Sequence, residues 1–265
     1  MAAKSPLDIY KLLPKTNCRQ CGETTCLAFA ASVIKKHKPL RLCPHLDSEI
    51  IERLEGEVTT QMTAEEKQLE RLGELKRQIR GVELESRAEV LGARMNGGEL
   101  TIRCLGRDFS VDARGRISSD CHTHAWFSIP FLSYILSGQG KETTGEWVSF
   151  RNLKDGLSWD AFFERQCPQK LKKLADRHSE LFGDLISLFG ATTTKNYLES
   201  DISVVLHPFP KVPMMVCYWE PQDDLDSDLR VFFDSTADQN LTTESVFGLG
   251  VAMVMMLEKI MERHM

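Results

Sequence analysis

No apolar run in this sequence is long enough to cross a bilayer. The longest, Val246 to Leu257, falls well short of the roughly 20 residues that a spanning helix needs. The opening Met-Ala-Ala-Lys-Ser-Pro also lacks the apolar core of an export signal, so the expectation is a cytoplasmic protein with no membrane contact. An excess of positive charge is missing too: 33 Lys and Arg stand against 38 Asp and Glu, a net charge of -5. The chain as a whole therefore offers no electrostatic footprint for nucleic acid. Nor is there a nucleophile elbow, a phosphate-binding loop, a zinc-protease helix or a Cys-His pair with recognisable surroundings.

What the sequence does hold is ordinary in bulk and uneven in detail. Its 265 residues, 42% hydrophobic and 27% charged, suffice for one ordinary folded domain plus a smaller module. Eight cysteines without an export signal point to metal ligands or buried thiols rather than disulfides. Residues 1–50 contain eight Lys or Arg against four acids.

Along the chain, Leu7 to Leu13 reads as a helix stopped by Pro14. Leu27 to Lys36 reads as a second, with apolar residues 27, 30, 33 and 34 on its buried face and Pro39 closing it. From Asp47 to Gly92 there is neither proline nor aromatic residue. Leu69, Leu72, Leu75 and Ile79 recur there at helical spacing, which suits packing within the chain or a coiled-coil arm that pairs two copies. Gly97-Gly98 marks a break. Leu100–Leu105 and Phe109–Asp112 read as a hairpin around residues 106–108, and Glu146–Phe150 as a short strand. Helices are expected over Ala125–Leu136, Trp159–His178 with a break near Pro168, Glu180–Phe189, and Thr243 to about Arg263 capped by Thr242 or Thr243. Ile202–Leu206, Val212–Trp219 and Leu229–Phe233 suggest antiparallel strands. The resulting fold class is α+β: a small helical and loop module over 1–50, a helical linker or arm over 51–92, and a mixed domain with an antiparallel sheet over 93–265.

The chemistry lies in the pattern Cys18-x2-Cys21-Gly-x3-Cys26-x16-Cys43-Pro. Three thiolates this close can wrap three corners of a [4Fe-4S] cubane, and the fourth arrives from beyond one short helix. Gly22 lets the backbone pass near the cluster, and Pro44 keeps the chain extended after the last ligand. Four thiolates can also hold zinc, but zinc sites usually come as two similar cysteine pairs, which this spacing is not. The metal ligands expected are Cys18, Cys21, Cys26 and Cys43. A four-thiolate cluster is anionic, so nearby cations would stabilise it; a solvated basic face is the alternative use of the same charges.

The run Leu7-Asp-Ile-Tyr-Lys-Leu-Leu-Pro-Lys-Thr-Asn-Cys-Arg-Gln-Cys-Gly-Glu-Thr-Thr-Cys-Leu-Ala-Phe-Ala30, with Cys43-Pro44, resembles the N-terminal cluster domain of the large subunit of the corrinoid iron-sulfur protein. The same domain type occurs in membrane electron-transfer complexes of anaerobes. The resemblance implies a low-potential [4Fe-4S] cluster on the four cysteines that passes one electron to a corrinoid or other tetrapyrrole. It also implies a redox partner, a corrinoid protein or a ferredoxin. After Asp47 nothing resembles that protein's barrel or cobalamin-binding domain, and no Asp-x-His-x-x-Gly motif is present. Instead Gly145-Glu-Trp-Val-Ser-Phe-Arg151, Phe182-Gly183 and the stretch from Pro210 through Trp219 to Phe233-Asp234 resemble a bacterial and archaeal domain of unknown function, number thirty-seven eighty-six.

Weaker constellations remain. Cys121, His122 and His124 place three ligand types within four residues, with His207 further on, and are candidates for a second metal or cofactor site. Adjacent residues cannot all point inward from a regular helix, which counts against them. Cys104, Cys121, Cys167 and Cys217 contain no short pair to seed a second cluster; Cys104 and Cys217, in strand-like apolar runs, read as core thiols, and Cys167 lies in a helical stretch without partners. Asp224-x-Asp226-x-Asp228 begins like a calcium loop and then fails at Leu229 and Ser235. Gly248-Leu-Gly250 lacks the third glycine and preceding strand of a dinucleotide site. Asp234, Trp219 and Arg151 suit a buried ion pair or a ligand pocket. The expected function is one-electron transfer, with no catalysis beyond it. The alternative is a cofactor- or metal-binding assembly module whose cluster is structural or a redox sensor. A third reading is a redox enzyme using Cys121 and its neighbouring histidines.

Overall fold

Ser5 starts the first helix by exchanging hydrogen bonds with Asp8: its hydroxyl accepts from the Asp8 amide at 3.3 Å, and the Asp8 carboxylate accepts from the Ser5 amide at 3.0 Å. This reciprocal cap, with Pro6 supplying a preset φ in the first turn, opens α1 (Pro6–Leu12). The computed structural model describes residues 5–35, 37–48, 50–51, 64–120, 124–178, 182–183, 186–187, 189–194, 197–222 and 225–264. They divide between two compact units, Met1–Lys67 and Gln68–Met265.

In the first unit, Thr25 caps α2 (Cys26–Ile34), its hydroxyl accepting from the Ala28 amide at 3.1 Å. A 3-10 turn, Leu40–Leu42, then delivers Cys43. Ile9, Leu13, Phe29, Ala30, Val33, Ile34, Leu40 and Leu46 form a core that also contains Cys26 and Cys43. The buried face of α2 is rotated from the expected one. Leu27 is 46% exposed and Phe29 is buried in its place, because the stripe continues from Cys26 through 29, 30, 33 and 34.

The second unit has a much larger core. From α3 (Ala64–Ile79) it receives Leu75 and Ile79, with Leu72 packed alongside and Leu69 left exposed. From α4 (Leu84–Leu91) it receives Leu84 and Leu91 before Gly92 ends that helix at φ +64. A four-stranded antiparallel sheet follows in sequential order: β1 (Arg94–Asn96), β2 (Glu99–Cys104), β3 (Arg107–Val111) and β4 (Ile117–Ser119). Gly97-Gly98 is not a break but a two-residue turn between β1 and β2, both glycines at positive φ. The next turn is Leu105-Gly106, tighter than the expected 106–108, and Arg107 already pairs with Cys104.

The second sheet is also antiparallel, in the order β5 (Trp147–Ser149), β9 (Asp228–Asp234), β8 (Val212–Trp219), β7 (Ile202–Phe209), β6 (Thr192–Thr193). The central β8 reads as a continuous apolar run because seven of its eight residues are buried. Around the sheets lie α5 (Ala125–Ser137), α6 (Asp160–Gln166), α7 (Pro168–Arg177), α8 (Ala237–Asn240) and α9 (Thr243–His264). Thr242 caps α9, accepting from the Ser245 amide. Gly248 and Gly250 serve close packing. A methyl group on Gly248 would press on Pro130 of α5, and one on Gly250 would meet Phe163 and Cys167 at 2.8–3.0 Å. Of the helix expected over 180–189, residues 182–183 and 186–187 are helical, and the others up to 188 lie outside the described residues. Every strand pair is antiparallel, as an α+β fold requires. No helix among the described residues is long and apolar enough to cross a membrane.

Candidate metal centre

The loop between α1 and α2 cannot follow regular backbone geometry. Lys15, Asn17, Arg19 and Gly22 all take positive φ, winding the chain tightly between the helices. Asn17 is held there by its side-chain oxygen, which accepts from the Cys26 amide at 2.8 Å. Asn17 and Thr25 together satisfy two of the donors that the start of α2 would otherwise leave open. The Gly22 amide donates to the Arg19 carbonyl at 2.9 Å, closing a turn around Cys21.

This winding grades the exposure of the four cysteines. Cys18 is exposed, Cys21 half-buried, and Cys26 and Cys43 are buried. Cys26 stands in the first turn of α2. Burial raises the Cys43 thiol above its ordinary value. The His45 amide works against that rise, while the charges of Cys21, Cys18 and Cys26 add to it, so all four thiols lie in one electrostatic neighbourhood.

A polar latch braces the loop from behind. Lys38 Nζ donates to the Cys21 carbonyl at 3.2 Å and pairs with Glu23 at 3.0 Å, and the Ser32 hydroxyl donates to the same carboxylate at 3.0 Å. The hydrogen bonds from Lys38 and Ser32 hold the Glu23 carboxyl below its ordinary range. Gly22 makes room for this arrangement, since a Cβ there would lie 3.1 Å from Lys38 Nζ. None of Asn17, Glu23, Ser32 and Lys38 was marked by the sequence. Glu23 and Lys38 meet only because the chain reverses after α2, and no local periodicity links them.

Four thiolates without a carboxylate form a soft donor set, suited to iron-sulfur clusters or zinc. Around one zinc all four sulfurs would converge to about 2.3 Å from a single ion. A cluster gives each thiolate its own iron and so needs a wider ring. The wound backbone, the room at Gly22 and the cation behind Cys21 fit such an anionic group.

Among the described residues the other candidates form no group of three or more ligands. Cys121 and His122 lie outside the described residues, and His124 is the exposed N-cap of α5, its Nδ1 accepting from the Trp126 amide at 3.4 Å. His207 is exposed on β7, where its carbonyl accepts from the Leu105 amide at 2.8 Å. Cys104, Cys167 and Cys217 are fully buried, and burial raises all three thiols, which makes them inert core residues. Of the acidic triplet, Asp224 lies outside the described residues and Asp228 pairs with Arg230 at 2.9 Å.

Asp234, Trp219 and Arg151 form neither a buried ion pair nor a common pocket. Asp234 has no exposed surface and accepts from the amides of Gly145 (2.7 Å), Thr144 (3.0 Å) and Thr236 (3.0 Å) and from the Thr236 hydroxyl (2.7 Å). Burial alone would raise this carboxyl, but the Thr236 side chain and the surrounding amides bring it below its ordinary value. Arg151 is mostly exposed, with Asp160 4.0 Å away. The Trp219 indole donates to the Leu198 carbonyl and lies under the Arg230 guanidinium.

Comparison with known proteins divides the chain in the same two parts. The sequence model of an Fe-S cluster family matches residues 13–45, and that of the family described as "Domain of unknown function (DUF3786)" matches residues 83–256. Among curated proteins the chain is similar to acetyl-CoA decarbonylase/synthase complex subunit gamma. The protein of Methanocaldococcus jannaschii is 47% identical over 49 residues, 18% of this chain and 10% of the relative. That of Methanopyrus kandleri is 44% identical over 55 residues, 21% and 12% respectively. That of Methanosarcina acetivorans is 49% identical over 49 residues, 18% and 10%. The chain thus spans about a tenth of the length of these relatives. No solved structure matches. Both resemblances carried by the sequence motifs are upheld, the first by the Fe-S cluster match over residues 13–45.

Proposed function

The chain belongs to the DUF3786 family, and we propose that it is an electron-transfer protein whose first unit holds one low-potential [4Fe-4S] cluster on Cys18, Cys21, Cys26 and Cys43. The observation that carries this reading is the graded exposure of four cysteines within and beside the stretch matched as an Fe-S cluster family. When bound, a [4Fe-4S] cluster supplies one-electron oxidation and reduction without proton chemistry. Cys26 and Cys43, fixed in the core, anchor it; Cys18 brings one corner to the surface, where electrons enter and leave. Lys38 holds the Cys21 carbonyl in place, its own charge paired with Glu23. The acceptor is a corrinoid or other tetrapyrrole centre on a partner protein, a reading supported by the likeness of residues 7–46 to the corrinoid iron-sulfur protein. Cys121, His122 and His124 are the residues in the second unit available to a further cofactor.

Anaerobic purification with metal and sulfide analysis and an EPR spectrum before and after reduction tests this directly. Iron and sulfide in equal amounts, with a signal that appears on reduction, are expected. Stoichiometric zinc without iron would end the proposal.

One observation favours a second role for the same cluster. The core of the first unit is built from about ten side chains, two of them the cysteines themselves. Units this small usually need a staple. The cluster is then a structural element or sensor in a cofactor- or metal-binding module. Voltammetry separates the two: a reversible low-potential couple supports the carrier, and a cluster lost on reduction supports the staple.

A further inference from the structure

The charges around the four cysteines are not distributed as on an ordinary solvated surface. The described acids between α1 and the last of the four cysteines, and the one just beyond it, are already engaged: Asp8 closes the cap of α1, Glu23 pairs with Lys38, and Asp47 has a partner as well. Lys15, Arg19 and Arg41 are exposed and make no ion pair among the described residues, although Lys15 lies over the Tyr10 ring. Lys15 and Arg19 flank the exposed Cys18, and Arg41 stands two residues before Cys43. Among the described residues no acid therefore neutralises the side of the loop that faces solvent. It is a basic rim in a chain whose net charge is -5.

Apolar surface lies beside these cations. Leu27 and Leu42, 46% and 43% exposed, each directly adjoin a buried candidate ligand, Cys26 and Cys43. Residues 14–20 are exposed throughout, so no other described part of the first unit covers Cys18. Exposed apolar side chains beside unpaired charges of one sign have the composition of a transient interface, in which apolar contacts give the seat and the charges give steering and selectivity.

We propose that this rim, formed by Lys15, Arg19, Arg41, Leu27 and Leu42, is the docking surface for an acidic redox protein that approaches over Cys18. The proposal rests on the electron-transfer reading above and adds to it the partner's charge and the residues that receive it. In the exchange the reduced carrier loses one electron and the cluster gains it, with no bond made or broken.

The test uses the full chain loaded anaerobically with iron and sulfide. It is mixed in stopped flow with a reduced acidic bacterial ferredoxin and, in a parallel arm, with dithionite. Reduction by the ferredoxin should slow on the order of tenfold when ionic strength rises from about 0.02 M to about 0.5 M. The combined substitution Lys15→Glu, Arg19→Glu, Arg41→Glu should bring a comparable loss at low salt and abolish the salt dependence, with dithionite reduction nearly unchanged. Leu27→Asn with Leu42→Asn should slow the ferredoxin reaction and leave its salt dependence intact. A loaded, dithionite-reducible cluster that takes electrons from ferredoxin indifferently to salt and to charge reversal overturns the docking surface and leaves electron transfer standing. A cluster that neither reductant reduces removes both.

Discussion

At Asp234 a carboxylate with no exposed surface accepts from three amides and two hydroxyls, so deleting it strands the buried donors of Thr236. Asp234→Ala should cost about 3 kcal/mol in equilibrium denaturation at neutral pH, with iron content unchanged. Because the folded-state pKa lies below the ordinary value, the charged form contributes stability above about pH 4, and that stability fades as pH falls through the folded value. The difference between wild type and Asp234→Asn should accordingly shrink on acidification; a difference that grew would invert the assignment. The cysteines make a second prediction at this scale. In the metal-free chain, alkylation followed by peptide mass spectrometry should modify the four cysteines of the first unit well before the fully buried Cys104, Cys167 and Cys217 of the second.

Among the elements, α2 matters most to the candidate centre because its first residue is one of the four cysteines. Thr25→Ala removes a cap and should cost about 1 kcal/mol in thermal unfolding of the first unit, with Asn17→Ala of similar size. In the second unit Gly106 and Gly190 meet face to face at positive φ, and a Cβ on Gly190 would come within 2.9 Å of Gly106 Cα. Gly190→Ala should therefore cost about 2 kcal/mol or more by denaturant titration. The long elements were legible in the sequence, because the helical period of α9 and the apolar run of β8 need no tertiary information. The short strands β1, β4 and β6 were not, since their residues are mostly exposed and only pairing defines them. Gly97-Gly98 was misread for a related reason: two glycines break a helix and also make a hairpin turn, and only the following strand decides which. At the centre, spacing revealed the four cysteines, but not the Lys38-Glu23 latch, which forms across a chain reversal. Arg151 and Asp234 lie in two stretches that resemble the same family yet have separate partners, because residue type alone cannot tell an ion pair from a ring of amides.

For the molecule as a whole, the division into two units with separate cores implies two separable stabilities. Removing iron with a chelator, or replacing Cys43 by Ser, should unfold the first unit while the main unfolding transition of the second stays within about 2 °C. Calorimetry and far-UV circular dichroism would register a modest loss of helix from α1 and α2. A single transition that shifts as one would contradict the separation. The thin first core has a consequence for the living cell. Under iron starvation the ribosome would still release this chain, but with one end unable to settle, and proteases recognise such ends. The amount of intact protein would then follow the supply of metal with no dedicated regulator, through nothing more than too few side chains to close a core.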